Sequence, residues 1–184
     1  MIAALYVDRA LGPYEAMPSV DVWDATRNAK LYPGPWPVIA HPPCGPWSRL
    51  SHLCTKQDPE CGPVAVAQVR AFGGILEHPA DSKLWNHCNL PRPGDLPRDG
   101  LWALEVDQCR WGHKARKRTW LLFAQIAPSL VGPLPPWREP THCVDDGAAR
   151  RAGLPSKYAR LRAHETHLTP PAFAQWLINI VRSA

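Results

Sequence analysis

The sequence predicts an α/β fold: a single domain with a reduced, mostly parallel sheet and a packing helix at the C-terminus. Three observations predict it. Short apolar runs at Ile2–Val7, Val20–Trp23, Pro37–Ala40 and Ile75–Leu76 each end in a polar or proline-rich cluster, as buried strands do where the ladder stops. A helical stretch lies between the third and fourth of these runs, and the last segment carries apolar residues at i, i+3, i+4, i+7 and i+8. With 184 residues and 45% hydrophobic content, the chain has room for one ordinary core and not for a second full domain.

In chain order, the first strand ends at Asp8, and the second, Val20–Trp23, is followed by Asp24. The segment between them contains Gly12, Pro13 and Pro18 and has no room for a crossover helix. The third strand stops at Ala40. Gly62-Pro63 opens a helix, since proline suits a first turn; Val64, Val66, Val69 and Phe72 give it an apolar side, and Gly73-Gly74 closes it. Ile75-Leu76 then leads directly into Glu77-His78-Pro79. Ser82 to His87 reads as one helical turn and residues 89–100 as a Pro/Gly-rich loop. Leu101–Val106 and Thr119–Phe123 read as partner strands bracketing a basic hairpin-like loop, Gly112–Arg118. Residues 126–145 hold five prolines without periodicity and read as an irregular connection. Thr169 is expected to cap the final helix and Pro170 to take its first turn, with Phe173, Trp176, Leu177, Ile180 and Val181 facing the sheet.

The net charge is +5 and the pI near 9.0. The positive charge is clumped, with one cluster at Arg110, Lys114, Arg116, Lys117 and Arg118 and another at Arg150, Arg151, Lys157, Arg160 and Arg162. A polyanion is the natural partner of such clusters, and a solvated face is the plainer alternative. Among the nine tryptophans, Trp36, Trp47, Trp85 and Trp111 lie beside Pro, Gly, His or basic residues, where some could stack on bases while most fill the core. No apolar run approaches the about 18 residues of a membrane span, and no basic-then-apolar leader is present. The expectation is a cytoplasmic chain with no membrane partner. Its six cysteines (Cys44, Cys54, Cys61, Cys88, Cys109 and Cys143) are expected to be reduced.

The chemistry concentrates at Ala40-His41-Pro42-Pro43-Cys44-Gly45-Pro46-Trp47-Ser48-Arg49. Two prolines end the strand, so Cys44 sits on a loop at a strand's C-terminal end, the edge where ligands bind in open α/β sheets. Pro42-Pro43 on one side and Gly45-Pro46 on the other stiffen that loop, which suits a nucleophile; the plainer alternative is a small buried thiol. Two further clusters stand at strand ends: Glu77-His78-Pro79 after the fourth run, and Arg116-Lys117-Arg118-Thr119 before the last.

In order and strand-end position, these three clusters resemble those of the cytosine-5 DNA methyltransferase family. There a Pro-Cys loop supplies the nucleophile, a Glu-Asn pair grips the base, and an Arg-x-Arg run precedes a late strand. The resemblance spans roughly residues 37 to 123 and, in outline, the last helix. It implies a Rossmann-like, methyltransferase-like domain: a reduced cofactor-side region 1–36, a catalytic-motif core 37–123, an irregular basic connection 124–168 and the helix 169–184. It further implies DNA modification at C5 of a cytosine, with Cys44 adding to C6 and Glu77, protonated or shared with N3, hydrogen-bonding the pyrimidine's Watson–Crick edge. Arg116 and Arg118 would be the guanidiniums that lie near the base and lower the thiol's pKa. Pro43, Trp47, Ser48, His78, Lys114 and Lys117 would complete the substrate site, and S-adenosylmethionine would be the carbon donor. The substrate would be DNA or a nucleotide pyrimidine, and the protein one of the kind phages or mobile elements carry, in the host cytoplasm.

The chain departs from the family's pattern at four points. Asp8 is followed by Arg9-Ala10-Leu11-Gly12-Pro13-Tyr14 instead of a Gly-rich turn and helix, so Asp8, Tyr14 and Asp24 are the donor-site residues that remain. His78 stands where the family has asparagine, the usual glutamine before the arginines is missing, and no segment is long enough for a separate target-recognition domain. These departures leave two alternatives: a different electrophile, or a non-catalytic DNA-binding or inhibitory relative. A structural zinc held by His52, Cys54, Cys61, His87 and Cys88 is a further alternative, although the Cys54-x6-Cys61 spacing is not that of a tight knuckle. His164-Glu165-Thr166-His167 reads as a capping, surface element.

Overall fold

The computed structural model describes residues 1–48, 51–54, 57–144 and 157–184. Arg49, Arg150 and Arg151 lie outside the described residues. Six strands form one sheet: β1 (Ile2–Leu5), β2 (Val20–Trp23), β3 (Val38–Ala40), β4 (Gly74–Pro79), β5 (Leu101–Asp107) and β6 (Arg118–Ala124). Their spatial order is β2-β1-β3-β4-β6-β5. The β1–β2, β1–β3 and β3–β4 pairs are parallel, while β6 runs antiparallel to both β4 and β5. The sheet is therefore mostly parallel, with β6 its reversed strand. Of the helices, α1 is Cys61–Phe72, α2 is Lys83–His87 with the Ser82 side chain accepting from Leu84 N, and α3 is Pro171–Ser183. A two-stranded ribbon, β7 (His142–Cys143) with β8 (Ala159–Arg160), lies apart from the main sheet. No helix among the described residues is long and apolar enough to cross a membrane.

Strand alternation divides the core between two faces. Ile2, Ala4, Ile39, Ile75, Leu121 and Phe123 pack with Phe173, Leu177 and Ile178 of α3. Ala3, Leu5, Val38, Ala40, Leu76, Trp120 and Leu122 pack with Val66 and Val69 of α1 and with Leu84 and Trp85 of α2. Leu177 is fully buried, so truncation to alanine would cost about 2–5 kcal/mol.

Several boundaries differ from expectation, each for a local reason. β1 ends at Leu5, not Val7, because Tyr6 adopts a left-handed backbone (φ 59°), from which its hydroxyl donates to Gln68 Oε1 at 2.8 Å. Glu77, His78 and Pro79 belong to β4 itself, paired opposite Leu121, Trp120 and Thr119. Proline is tolerated there because it is the strand's last residue. Thr169 does not cap α3: Pro170 holds the N-cap position with no side-chain hydrogen bond. The irregular connection contains the 3-10 turn Pro128–Leu130 and strand β7. Gly74 begins β4 at φ 117°, and a Cβ on it would lie 2.0 Å from Val38 O, so only glycine lets β3 and β4 approach there.

Candidate active site

From β1 the chain pairs outward to β2 on one side and to β3 and β4 on the other, so a crevice opens where the strand order reverses. A cavity of about 390 Å³ occupies it. Its walls include Tyr14, His41, Pro43, Cys44, Glu77 and Lys117, with His164, His167, Leu168 and Thr169 closing the side opposite the strand ends. β6 is antiparallel, so its beginning meets the C-terminal ends of β3 and β4 at this edge.

Cys44 caps the 3-10 turn Gly45–Trp47 and is half-buried. Burial, followed by the neighbouring Glu77 carboxylate, pushes its thiol above the usual range, and Lys117 pulls the other way. In this state the sulfur is a thiol, in contrast to the lowered pKa expected. No disulfide joins any of the six cysteines, all of which lie among the described residues.

Glu77 is nine-tenths buried and lies at the centre of a polar chain. Tyr14 Oη and His41 Nε2 share a 2.7 Å hydrogen bond, and His41 Nδ1 lies 3.0 Å from Glu77 Oε2. Gln108 Nε2 donates to Glu77 Oε1 and to Thr119 Oγ1, both at 2.9 Å. Burial alone would raise the Glu77 carboxyl, but the His41 hydrogen bond and then the Lys117 ammonium outweigh it and hold the pKa at about 2. An ionised carboxylate only accepts, so Nδ1 of His41 carries the proton. Of the two expected states of Glu77, protonated or shared with N3, this electrostatic setting disfavours the first.

The arginine assignment needs correction. Thr119 faces the same side as Glu77 and Arg118 the other, while Lys117, just before β6 with a left-handed backbone (φ 42°), reaches the cavity. Arg116 pairs with Asp107 at 2.7 Å, and Arg118 pairs with Glu105 at 2.9 Å and Asp81 at 3.0 Å; neither lines the cavity. The cation at the cavity is Lys117, whose Nζ also donates to Leu168 O at 2.9 Å. Lys114 pairs with Glu165 and lines a neighbouring, more apolar hollow. Arg110 donates to Pro135 O, so each member of the first basic cluster already has a partner within the chain. In the second cluster Lys157 pairs with Glu139.

Alternation also removes His78 from the site. It faces α2, is 1% exposed, and neither ring nitrogen has a hydrogen bond among the described residues. Burial pushes its imidazole down to about 4 against the pull of Glu77, so it is neutral. Trp47 packs against His87 with its ring tilted by 50° (4.8 Å between centroids), and Ser48 Oγ donates to Gly45 O; neither lines the cavity, whereas Pro43 does. Trp85 and Trp111 are core residues and Trp36 is exposed.

A second cleft of about 890 Å³, at the ends of β1 and β2, shares Tyr6, Val7, Asp8, Pro43 and Gln57 with the first. Asp8 and Asp24 line it, but Tyr14 belongs to the Cys44 cavity. Asp8 Oδ1 accepts from the Ala10 and Leu11 amides, and Asp24 Oδ1 from the Arg27 amide. No group of three His, Cys, Asp or Glu among the described residues could hold a metal ion, so His52, Cys54, Cys61, His87 and Cys88 do not assemble a zinc centre.

Comparison with family models, curated proteins and solved structures returned no match. The site therefore stands on its own geometry. His41, Gln108 and Thr119 escaped sequence reading. His41 carried a signal, a polar residue at the strand end three positions before the cysteine, and Thr119 closed the basic cluster without a role of its own, whereas nothing in the sequence singled out Gln108. His164 and His167 fall on the 3-10 turn Ala163–His167, where Glu165 does bond back to the Arg162 amide, and both line the cavity.

Proposed function

We propose that the chain is a DNA-modifying enzyme acting at C5 of a cytosine through a covalent bond between Cys44 Sγ and C6, a cytosine-5 methyltransferase-like transferase on a reduced Rossmann-like domain. One observation carries the reading: Cys44 and Glu77, from separate strands, open with Lys117 onto a single cavity at the point where the strand order reverses. A volume of about 390 Å³ suits one nucleobase with part of its sugar.

In this reading the Cys44 thiol loses its proton to solvent, helped by Lys117, and Sγ adds to C6. The C5=C6 electron pair shifts toward N3, which takes up a proton, and C5 becomes nucleophilic. Glu77 accepts from the exocyclic amino group and holds the ring against the sulfur. C5 would bond the donor's electrophilic carbon as that carbon's bond to its leaving group breaks; N3 returns its proton to water, the C5 proton passes to solvent as Sγ–C6 breaks, and the departing thiolate is reprotonated. Extruding the base from a duplex costs a few kcal/mol, or less from a single strand.

The second cleft suits a nucleoside-type donor at its ribose end, because Asp24, 3.6 Å from Arg9, directly follows the strand next to β1, where an acidic side chain can grip a ribose hydroxyl. Asp8 and Asp24 would hold S-adenosylmethionine, which supplies an electrophilic methyl carbon when bound. The non-catalytic DNA-binding alternative draws support from the raised thiol and the internally paired arginines.

DNA containing 5-fluorocytosine separates the two. With S-adenosylmethionine present, the wild type is expected to form a denaturation-resistant adduct that Cys44→Ser does not form. Absence of adduct with every donor tried would overturn the enzyme and favour the binder.

A further inference from the structure

We propose that His41 is a positioning residue: held between Tyr14 Oη and Glu77 Oε2, it fixes the Glu77 carboxylate as an acceptor matched to the N3-protonated Cys44 adduct rather than to the free base. The inference rests on the proposed reaction at Cys44.

The geometry is that of a clamp. Tyr14 is 1% exposed, lies among the residues packed on α3, and its ring sits 5.4 Å from that of His41. Its hydroxyl occupies one imidazole nitrogen, so the other is aimed at Glu77. On the far oxygen, Gln108 donates from the end of β5, and Thr119 lies within 3.4 Å. Every protein hydrogen bond to this carboxylate comes from a donor. The charged and titratable groups around it are His41 at the end of β3, Lys117 before β6, His113 in the same basic loop, Cys44 and Tyr14 across the cavity, and His78 from the opposite face.

Such a carboxylate meets free cytosine poorly. At the Watson–Crick edge the base offers one donor, N4–H, and one lone pair, N3, which repels it. Once Sγ has bonded to C6 and water has delivered a proton to N3, both positions donate and both meet acceptors. An interaction stronger in the adduct than in the ground state accelerates the step instead of merely tightening binding.

Three variants test this. His41→Leu is expected to slow 5-fluorocytosine adduct formation about 100-fold through a misplaced Glu77, while DNA affinity measured in a Cys44→Ser background falls by less than about tenfold. Tyr14→Phe, which keeps the ring and the packing, is expected to slow it about tenfold. His41→Gln, which retains a donor, is expected to recover part of the loss. Carboxyl-carbon NMR supplies a readout independent of turnover: the Glu77 resonance should titrate near pH 2 in the wild type and move toward the ordinary carboxylate range in His41→Leu. An unchanged adduct rate in His41→Leu and Tyr14→Phe, or an unchanged Glu77 titration, overturns the inference. A wild type that forms no adduct but shows the shifted titration overturns the matching to the adduct and leaves the clamp standing.

Discussion

Glu77 and His78 are neighbours in sequence, yet one faces α3 and the polar chain to Tyr14 while the other is sealed under Trp85 on the opposite side of the sheet. Their titrations give stability a definite pH profile. His78 is depressed from 6.5 to about 4, so the unfolded chain binds its proton first and stability falls as pH drops through that interval. Glu77 is depressed from 4.5 to about 2, so its contribution is complete above pH 4.5 and is lost as pH falls toward 2. Melting temperature measured from pH 8 to pH 3 should decline in two overlapping stages. His78→Leu should remove the upper one, worth roughly 3 kcal/mol. A flat profile between pH 6.5 and 4.5 in the wild type would contradict the buried neutral imidazole.

Cys44 should behave as a reluctant thiol. Its alkylation by iodoacetamide is expected to be slow at pH 7 and to rise only above the ordinary thiol range, since burial and Glu77 both disfavour the thiolate. Lys117→Met should slow alkylation further, because the favourable charge is gone, and Glu77→Gln should speed it. The opposite ordering of the two variants would show that neither charge faces the sulfur.

Arg116 and Arg118 should matter little to chemistry. Both are about half-exposed and paired on the far side of the strand, so Arg116→Ala and Arg118→Ala are each expected to cost no more than about 1 kcal/mol in denaturant unfolding. Adduct rates should stay within about twofold, whereas Lys117→Met should lower them by tenfold or more. A collapse of adduct formation in Arg118→Ala would return the arginine to the site.

Glu77→Gln should abolish adduct formation to about one part in a hundred or less while the fold survives at pH 7, because the amide can still accept from Gln108 or His41 at one position. Circular dichroism together with the adduct assay checks both halves.

The parts of this molecule that follow from periodicity were legible. Apolar runs gave the strands, and the i, i+3, i+4 spacing gave α3 with its buried Phe173, Leu177, Ile180 and Val181. The cysteine's loop could be read because two prolines leave a strand no other course. The partners of each charge could not be read, because Arg116 meets Asp107 and Arg118 meets Glu105 only through the pairing of β5 with β6. Period-two alternation counted from Ile75 would have separated Glu77 from His78, whereas Lys117, outside β6 with a left-handed backbone (φ 42°), could not be placed by that count. Gln108 and Tyr14 sit on connections without periodicity, and only the folded chain brings them to Glu77.

The basic run illustrates how little sequence is needed to retune such a place. Lys117→Arg would deliver a forked guanidinium to the hollow in place of the ammonium. One side chain of that loop decides whether the cavity presents a point charge or a planar, bidentate one.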